Sequence, residues 1–237
     1  MIGINKGALG AVNPNLKLEL KFNYQTYTDV AATVAANTND YVRAWRSTVN
    51  SSLFTQSTDA ARPQRVSDGL YFDGGDYVAI AHNSGFMDFG TGNFTVEAWV
   101  NFANTTTENG IFSQQSISNT HVFLRKNTNN TLQFAAATSS TAVANYVTAS
   151  AISVAANTWY HIALVRNGST VSMYLSGISQ TLTLVTAIGT MPTGTGDLYI
   201  GVEYDLSGYF VGKITDFRIY KGVAQYTANF TPPTRSS

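Results

Sequence analysis

The sequence predicts an all-β protein in which two antiparallel sheets pack as a sandwich. Composition gives the first reason: the 237 residues include 30 Thr, 20 Ser, 20 Asn and 19 Gly, which are typical of pleated surfaces and of turns. The second reason is that short strand-like segments recur along almost the whole chain, with Gly, Asn or Asp between them. The third is that no segment carries a sustained apolar stripe with a 3.6-residue period, as a helical protein would need.

The first strand signals lie in the N-terminal third of the chain. Leu16–Phe22 alternates apolar and charged residues, which indicates a half-buried strand. Tyr41–Trp45 is predicted as the next strand, after a small-residue stretch, Val30–Asn39, that we interpret as a long loop. Leu70–Phe72 and Tyr77–Ile80 flank the turn FDGGDY, whose two glycines predict a tight hairpin between these strands.

The longer strands are predicted in the middle of the chain. In Phe94–Phe102 the even-numbered residues are all apolar and the odd-numbered residues are polar or aromatic. In Trp159–Arg166, as in Phe94–Phe102, both faces are at least partly apolar. Both strands are therefore predicted at the centre of a sheet. Asn167 and Gly168 predict a hairpin to Val171–Leu175, and the Ala/Thr-rich stretch Ala135–Ala156 is interpreted as a weak strand inside long loops. Further strands are predicted at His121–Arg125, Thr131–Ala136, Leu198–Val202 and Phe210–Tyr220.

Charge and cysteine content exclude several classes of function. Fourteen Lys and Arg balance fourteen Asp and Glu, so the chain has no electrostatic footprint for nucleic acid. It has no Cys, which excludes disulfide scaffolds, thiolate metal sites and cysteine nucleophiles. No segment approaches the about 18 apolar residues of a membrane span, and residues 1–15 lack the apolar run of a signal peptide. With charged residues at only 12%, self-association is favoured, and we expect a homo-oligomer.

Four segments carry a resemblance to a known family. They are Gly69–Ile80, Gly92–Phe102, Asn157–Gly177 and Gly208–Thr234. In this order they resemble the laminin-G-like domains, whose fold is the concanavalin A-like jelly roll. The resemblance covers about residues 16–234, so residues 16–237 are predicted to form one such domain and residues 1–15 an extended N-terminal arm.

The resemblance raises the question of catalysis, because some enzymes of this fold cleave glycosides through paired carboxylates on one strand. The chain has only four Glu, and Glu203-Tyr204-Asp205 is the nearest approach to such a pair but lacks a third carboxylate in register. Glu97 is interpreted as a structural residue, hydrogen-bonded in or near the core. The three His residues are scattered without ligand spacing, and His161 is predicted to be a core residue; the others are His82 and His121. We therefore predict that the protein is not an enzyme.

The resemblance also implies two kinds of binding site. Many laminin-G-like domains hold Ca²⁺ at the rim of the sandwich through oxygen ligands, and Asp73, Asp76 and Asp205 could contribute; the alternative is that Asp73 and Asp76 cap a turn. No other cofactor is expected.

For glycans, relatives stack sugars on exposed aromatic rings and hydrogen-bond them with Asn and Asp. The best group here is Tyr204, Asp205 and Tyr209, and Tyr146 and Trp45 are weaker candidates.

Two functional hypotheses follow. The C-terminal GVAQYTANFTPPT is similar to endings of bacteriophage and environmental viral members of the family, which implies a non-enzymatic structural protein on the virion surface, as a capsid decoration or tail component. Its partners would be capsid or tail proteins, with a trimer as the expected assembly. The apolar residues of the arm are predicted to anchor on a neighbouring chain: Ile2, Ile4, Leu9 and Val12. The alternative is a carbohydrate-binding adhesion module that recognises glycans on a host surface.

Overall fold

The computed structural model describes residues 13–21, 26–27, 35–36, 39–50, 53–116, 120–139 and 141–236. These residues form two packed antiparallel sheets, which confirms the predicted two-sheet sandwich. The arm residues Ile2, Ile4, Leu9 and Val12 lie outside the described residues, so their anchoring role and the boundary at residue 15 stay predictions. No helix in the described part of the chain has the length and apolarity needed to cross a membrane.

The described elements follow one another along the chain as short strands with little helix. They are β1 (Leu16–Leu20), β2 (Thr26–Tyr27), β3 (Ala44–Arg46), β4 (Leu53–Thr55), a 3-10 turn (Asp59–Ala61), β5 (Gln64–Val66), β6 (Gly69–Asp73), β7 (Val78–Ile80), α1 (Ser84–Met87), β8 (Phe94–Phe102), β9 (Asn109–Ser116), β10 (Thr120–Lys126), β11 (Leu132–Thr138), β12 (Thr141–Thr148), β13 (Trp159–Asn167), β14 (Thr170–Leu175), β15 (Ile178–Ser179), β16 (Leu182–Thr186), β17 (Leu198–Ile200) and β18 (Val211–Lys221).

Within the described residues, one sheet has eight strands and the other has ten. The eight-stranded sheet runs β15-β14-β13-β8-β18-β6-β5, with β1 also paired to β18. The ten-stranded sheet runs β16-β12-β11-β10-β9-β17-β7-β4-β3-β2. The prediction that Phe94–Phe102 and Trp159–Arg166 are central strands is confirmed, since β8 and β13 are neighbours inside the eight-stranded sheet.

The core lies between the two sheets and follows the period-2 pattern of the strands. The apolar face of β8, which is Phe94, Val96, Ala98, Val100 and Phe102, is buried in it. In β13, Ile162 and Leu164 point into the same core, whereas Ala163 and Val165 lie on the opposite face in a second, smaller cluster. The apolar character of both faces of β13 thus reflects two separate packing surfaces.

That second surface is covered by the C-terminal segment, residues 222–236. The rings of Tyr226 and Phe230 are stacked, with their centroids 3.5 Å apart. Both rings pack edge-on against His161 in the sheet beneath them. A β-carbon at Gly177 would lie 1.9 Å from the carbonyl oxygen of Phe230, and its φ is +82°, so only glycine permits this close approach. The outer face of the eight-stranded sheet is therefore occupied here by the chain itself.

The predicted hairpin at FDGGDY is wrong. β6 belongs to the eight-stranded sheet and β7 to the ten-stranded sheet, so the turn carries the chain from one sheet to the other. Glycines mark a tight turn but do not show whether the flanking strands pair. By contrast, the Asn167-Gly168 hairpin is confirmed: Asn167 pairs with Thr170, and Gly168 has a φ of +62°.

The Ala/Thr-rich stretch contains more regular structure than the sequence pattern indicates. β12 is a strand of eight residues that pairs with β11 on one side and β16 on the other. Its small side chains give weak periodicity, and pairing on both sides defines the strand instead. Only parts of the predicted loop Val30–Asn39 are described, so that interpretation stays a prediction.

A buried charge cluster holds the eight-stranded sheet together. Arg218 of β18 donates to Glu19 of β1 at 2.7 Å and to Glu97 of β8 at 3.2 Å, and the Tyr226 hydroxyl donates to Glu97 at 2.7 Å. Burial alone would raise the pKa of Glu97, but His161, Tyr226 and Arg218 together hold it below its usual value. The structural role predicted for Glu97 is confirmed, as is the burial of His161.

We expect Arg218→Met to lower the free energy of unfolding by about 3–5 kcal/mol, because it leaves buried carboxylates without their cation. Arg43→Met is the matched control, since Arg43 pairs with the exposed Asp59 at the surface, where such pairs contribute roughly 0–1 kcal/mol. Chemical unfolding at pH 7 measures both variants. An equal loss in the two would contradict the role assigned to the cluster.

Candidate functional site

The outer face of the ten-stranded sheet is built by the alternation along β10. Val122 and Leu124 point into the core, so His121, Phe123 and Arg125 lie on the opposite face. The loop formed by residues 203–209, hereafter the 203–209 loop, passes over these side chains. The result is a site made from three neighbouring strands, β10, β11 and β12, and one loop.

An aromatic stack forms the centre of the site. The Tyr204 ring lies on His121, with ring centroids 4.1 Å apart and an interplanar angle of 12°, and on Phe123 at 5.3 Å and 20°. Phe123 is buried beneath it, whereas Tyr204 is half-buried. The stack thus uses part of the tyrosine ring, and Tyr204 as a whole remains partly exposed.

A chain of hydrogen bonds crosses three strands beside this stack. Arg125 donates from Nε and Nη2 to Gln133 Oε1 at 3.0 and 2.8 Å, and Gln133 Nε2 donates to Asn145 Oδ1 at 3.1 Å. Between the stack and Asn145, the outward position is Ala135, which pairs with Phe123 on one side and Asn145 on the other. Ala135 is small and only 8% exposed, and it separates the aromatic stack from a polar wall formed by Gln133 and Asn145.

Two carboxylates fix the loop to the sheet. Arg125 Nη1 lies 2.9 Å from Glu203 Oε1 and 3.0 Å from Glu108 Oε2. Burial raises the pKa of Glu203 to about 7; Arg125 opposes this and the nearby Glu108 adds to it. A β-carbon at Gly208 would lie 2.9 Å from Glu203 Oε1, so the loop backbone closes directly over the carboxylate pair. Glu203 is only 2% exposed, so its carboxylate contacts other protein groups rather than solvent.

A second aromatic group lies on the other side of the 203–209 loop. The ring centroids of Tyr209 and Tyr77 are 6.5 Å apart. Tyr77 packs edge-on against Tyr199 of β17, with ring centroids 5.7 Å apart. Asp205 lies exposed at the loop tip, where it accepts hydrogen bonds from the Ser207 backbone and hydroxyl. Tyr204, Asp205 and Tyr209 thus share one loop, but the two rings belong to different groups. Their glycan-binding roles stay predictions.

The two weaker aromatic candidates are core residues, and their nomination was wrong. Trp45 is fully buried, and its Nε1 donates to the Lys21 carbonyl at 3.1 Å. Tyr146 is 7% exposed, and its hydroxyl accepts from the Ile188 backbone at 2.8 Å. Both point inward because they occupy core positions of β3 and β12. Sequence reasoning also missed the outward residues of the site. The alternation in β10 could have indicated His121, Phe123 and Arg125, whereas Gln133 and Asn145 lie on the neighbouring strands β11 and β12.

Asp73 and Asp76 close the turn between the two sheets. Asp76 Oδ2 accepts from the Asp73 backbone at 2.9 Å, and Asp73 Oδ1 accepts from the Gly75 backbone at 3.0 Å. Among the described residues, no three His, Asp or Glu side chains converge as a metal site would require. This geometry fits the turn-capping alternative, and calcium binding at these two residues stays a prediction.

A surface pocket of about 470 Å³ lies elsewhere on the molecule. It is lined by residues of β1, α1 and the adjoining loops, including Leu16, Asn50 and Phe86. It shares no residue with the site on the ten-stranded sheet, and no group of titratable side chains converges in it. We therefore base the functional argument on the sheet face.

Comparison with known proteins gives a family and several similar folds. Residues 72–225, more than half of the chain, match the family described as the concanavalin A-like lectin/glucanases superfamily. No curated protein matches the sequence.

Solved structures share the fold at low identity. Domain 4 of AbnA, a GH43 extracellular arabinanase from Geobacillus stearothermophilus solved in complex with arabinotriose, has a TM-score of 0.56 and 14% identity over 89% of this chain and 94% of that one. The CBM40 of the Ruminococcus gnavus IT-sialidase, bound to α2,3-sialyllactose, has a TM-score of 0.55 and 11% identity. The match covers 68% of this chain and 92% of the CBM40. A Trypanosoma rangeli sialidase has a TM-score of 0.56 and 16% identity over 89% of this chain. The match spans only 32% of the sialidase.

We expect Asp76→Asn to change how stability depends on pH. Burial raises the pKa of Asp76 from 3.8 to about 7, so between about pH 4 and 7 the unfolded chain ionises while the folded chain keeps the proton, and stability is lost over that window. The variant lacks this loss. Its free energy of unfolding should exceed that of the wild type by about 1–3 kcal/mol at pH 8, with little difference at pH 4.

Chemical unfolding at pH 4, 6 and 8 provides the measurement, with Asp197→Asn as a control on a half-buried carboxyl. A difference that is the same at every pH would contradict the assignment. Repeating the series with Ca²⁺ tests the metal prediction, because a bound cation would stabilise the wild type but not the variant.

Proposed function

The chain belongs to the concanavalin A-like lectin/glucanases superfamily, and we propose that it is a non-catalytic carbohydrate-binding module that holds glycans on the outer face of its ten-stranded sheet. The observation that carries the proposal is the flat stack of Tyr204 on His121, 4.1 Å apart, beside a hydrogen-bonded wall of polar side chains. A sugar ring has an apolar C–H face and a polar rim. This surface offers a matching pair of features at adjacent positions.

The polar wall suits the rim of a sugar. Gln133 and Asn145 are held in place by the chain of hydrogen bonds that begins at Arg125, so their orientation is set before a ligand arrives. Such preorganisation reduces the entropy that binding must overcome. Ala135 lies between the wall and the stack, where a larger side chain would obstruct a sugar ring that contacts both.

Structural neighbours support a carbohydrate ligand. The similar arabinanase domain was solved with arabinotriose and the similar CBM40 with sialyllactose. Several neighbours are thus parts of larger enzymes that bind glycans. The likeness in fold favours a binding module over other roles for this sandwich.

The carboxylate pair supports a non-catalytic role. Glycoside hydrolysis needs two carboxyl groups about 5–9.5 Å apart with the sugar between them. Here Glu203 and Glu108 both contact the same nitrogen of Arg125, and Glu203 is 2% exposed, so no sugar fits between them. Their place in the structure is to hold the 203–209 loop.

Carbohydrate binding, the alternative in the sequence reading, is thus the function that we favour. The comparisons give the virion-surface role no support, and it stays a prediction. The same holds for the trimer, for capsid or tail partners and for anchoring by the N-terminal arm.

We expect Tyr204→Ala to weaken glycan binding about tenfold or more, equal to roughly 1.4 kcal/mol, because it removes the stacking surface. Tyr204→Phe keeps the ring and should restore most of the affinity. Tyr41→Ala, at an exposed tyrosine remote from the site, is the matched control and should bind like the wild type. A glycan array identifies ligands, and titration calorimetry then measures all four proteins.

Absence of binding by the wild type across the array would contradict the proposed function. Binding that survives Tyr204→Ala unchanged would place the glycan site elsewhere. Circular dichroism of each variant checks that the sandwich remains folded.

A further inference from the structure

The site contains very little positive charge. Between residues 127 and 212 the chain has only four charged residues, Arg166, Asp197, Glu203 and Asp205. Arg166 is buried, and its guanidinium donates to the backbone carbonyls of Gly90 and Gly189. It therefore contributes no accessible cation to the outer face of β11 or β12.

Among the described residues, Arg125 is the cation at the site, and most of its N–H groups are already paired within the protein. Nη1 faces Glu203 and Glu108, while Nε and Nη2 donate to Gln133. A ligand carboxylate could reach at most the second N–H of Nη2, so it could not form a bidentate pair with Arg125 unless it displaced one of these partners. A guanidinium held by two carboxylates leaves no net positive charge to attract an anion.

Negative groups remain at the surface around the stack. The Glu108 side chain is 31% exposed, and Asp205 is exposed at the loop tip beside Tyr204. Burial raises the pKa of the Tyr204 hydroxyl, and the charges of Asp205 and Glu203 raise it further, against the smaller effect of Arg125. The ring that would stack on the sugar thus lies in a negative local field.

Resting on the proposed function, we propose that this site selects uncharged glycans and discriminates against glycans that carry a carboxylate, such as sialic or uronic acids. The selection is electrostatic: Glu108 and Asp205 repel an anionic sugar placed on Tyr204, and Arg125 is unable to compensate. Repulsion of this kind fixes specificity without adding affinity for the preferred ligand.

The test compares matched glycans that differ only in charge. An array carries neutral oligosaccharides beside their sialylated forms, and arabinan beside polygalacturonate, with EDTA present to remove bridging cations. We expect each bound neutral glycan to bind about tenfold more tightly than its acidic counterpart at 50 mM salt. The ratio should fall towards one at 1 M NaCl, where charges are screened within about 3 Å.

Variants assign the effect to the named carboxylates. Glu108→Gln and Asp205→Asn remove one negative charge each, and each should reduce the neutral-to-acidic ratio several-fold. Asp59→Asn removes an exposed carboxylate that pairs with Arg43, away from the site, and should leave the ratio unchanged. Tyr204→Ala should remove binding of both members of a pair.

The outcomes separate this inference from the proposed function. Equal or tighter binding of acidic glycans that is lost in Tyr204→Ala would overturn the charge selection but support glycan binding at the site. A ratio unaffected by Glu108→Gln and Asp205→Asn would likewise overturn it. Absence of any glycan binding, or binding insensitive to Tyr204→Ala, would overturn the proposed function and this inference together.

Discussion

A guanidinium buried between carboxylates is the constraint on which the rest of the sandwich depends. Arg218 contacts Glu19 and Glu97, so β18 is joined to the strand that begins the described chain and to the central β8. Glu97 also accepts from Tyr226 in the C-terminal segment. Because a desolvated charge is costly without its partner, the cluster makes the stability of the sheet and that of the segment covering it depend on each other. Around His161 the outer face of this sheet is covered by the chain itself, and the candidate site lies on the other sheet.

The ten-stranded sheet uses the same chemistry for another purpose. Arg125 also lies between two carboxylates, but its side chain is 23% exposed, compared with 8% for Arg218. The Arg218 cluster lies beneath the C-terminal segment. The Arg125 cluster holds the 203–209 loop where the side chain of Arg125 is still partly exposed. The ion pair between Arg125 and Glu203 fixes the backbone next to Tyr204, whose ring then lies on His121. A buried contact therefore determines the position of the stacking ring.

Much of the fold could be predicted from period-2 patterns, whereas the site could be predicted only in part. Alternation places the side chains of β8 and β13 correctly because it is a local property of the strand. Which sheet receives a strand depends on distant partners, and this is why the turn between β6 and β7 was misread as a hairpin. Tyr204 was nominated because it is an aromatic residue in a predicted loop, and its role in binding stays a prediction. Its supports on β10 were missed, since Arg125 and Glu203 are 78 positions apart in the chain.

The proton on Glu203 connects the positioning of the loop with its charge. As a neutral acid, Glu203 still accepts from Arg125 and can donate to Glu108; as a carboxylate, it forms a full ion pair with Arg125. The hydrogen bond between Arg125 and Glu203 is therefore available in both states, and burial together with Glu108 raises the pKa of Glu203 to about 7. What changes is the net charge beneath Tyr204, which becomes more negative as the pH rises. We therefore expect the electrostatic field at Tyr204 to depend on pH, whereas the hydrogen bond that holds the loop does not require Glu203 to be ionised.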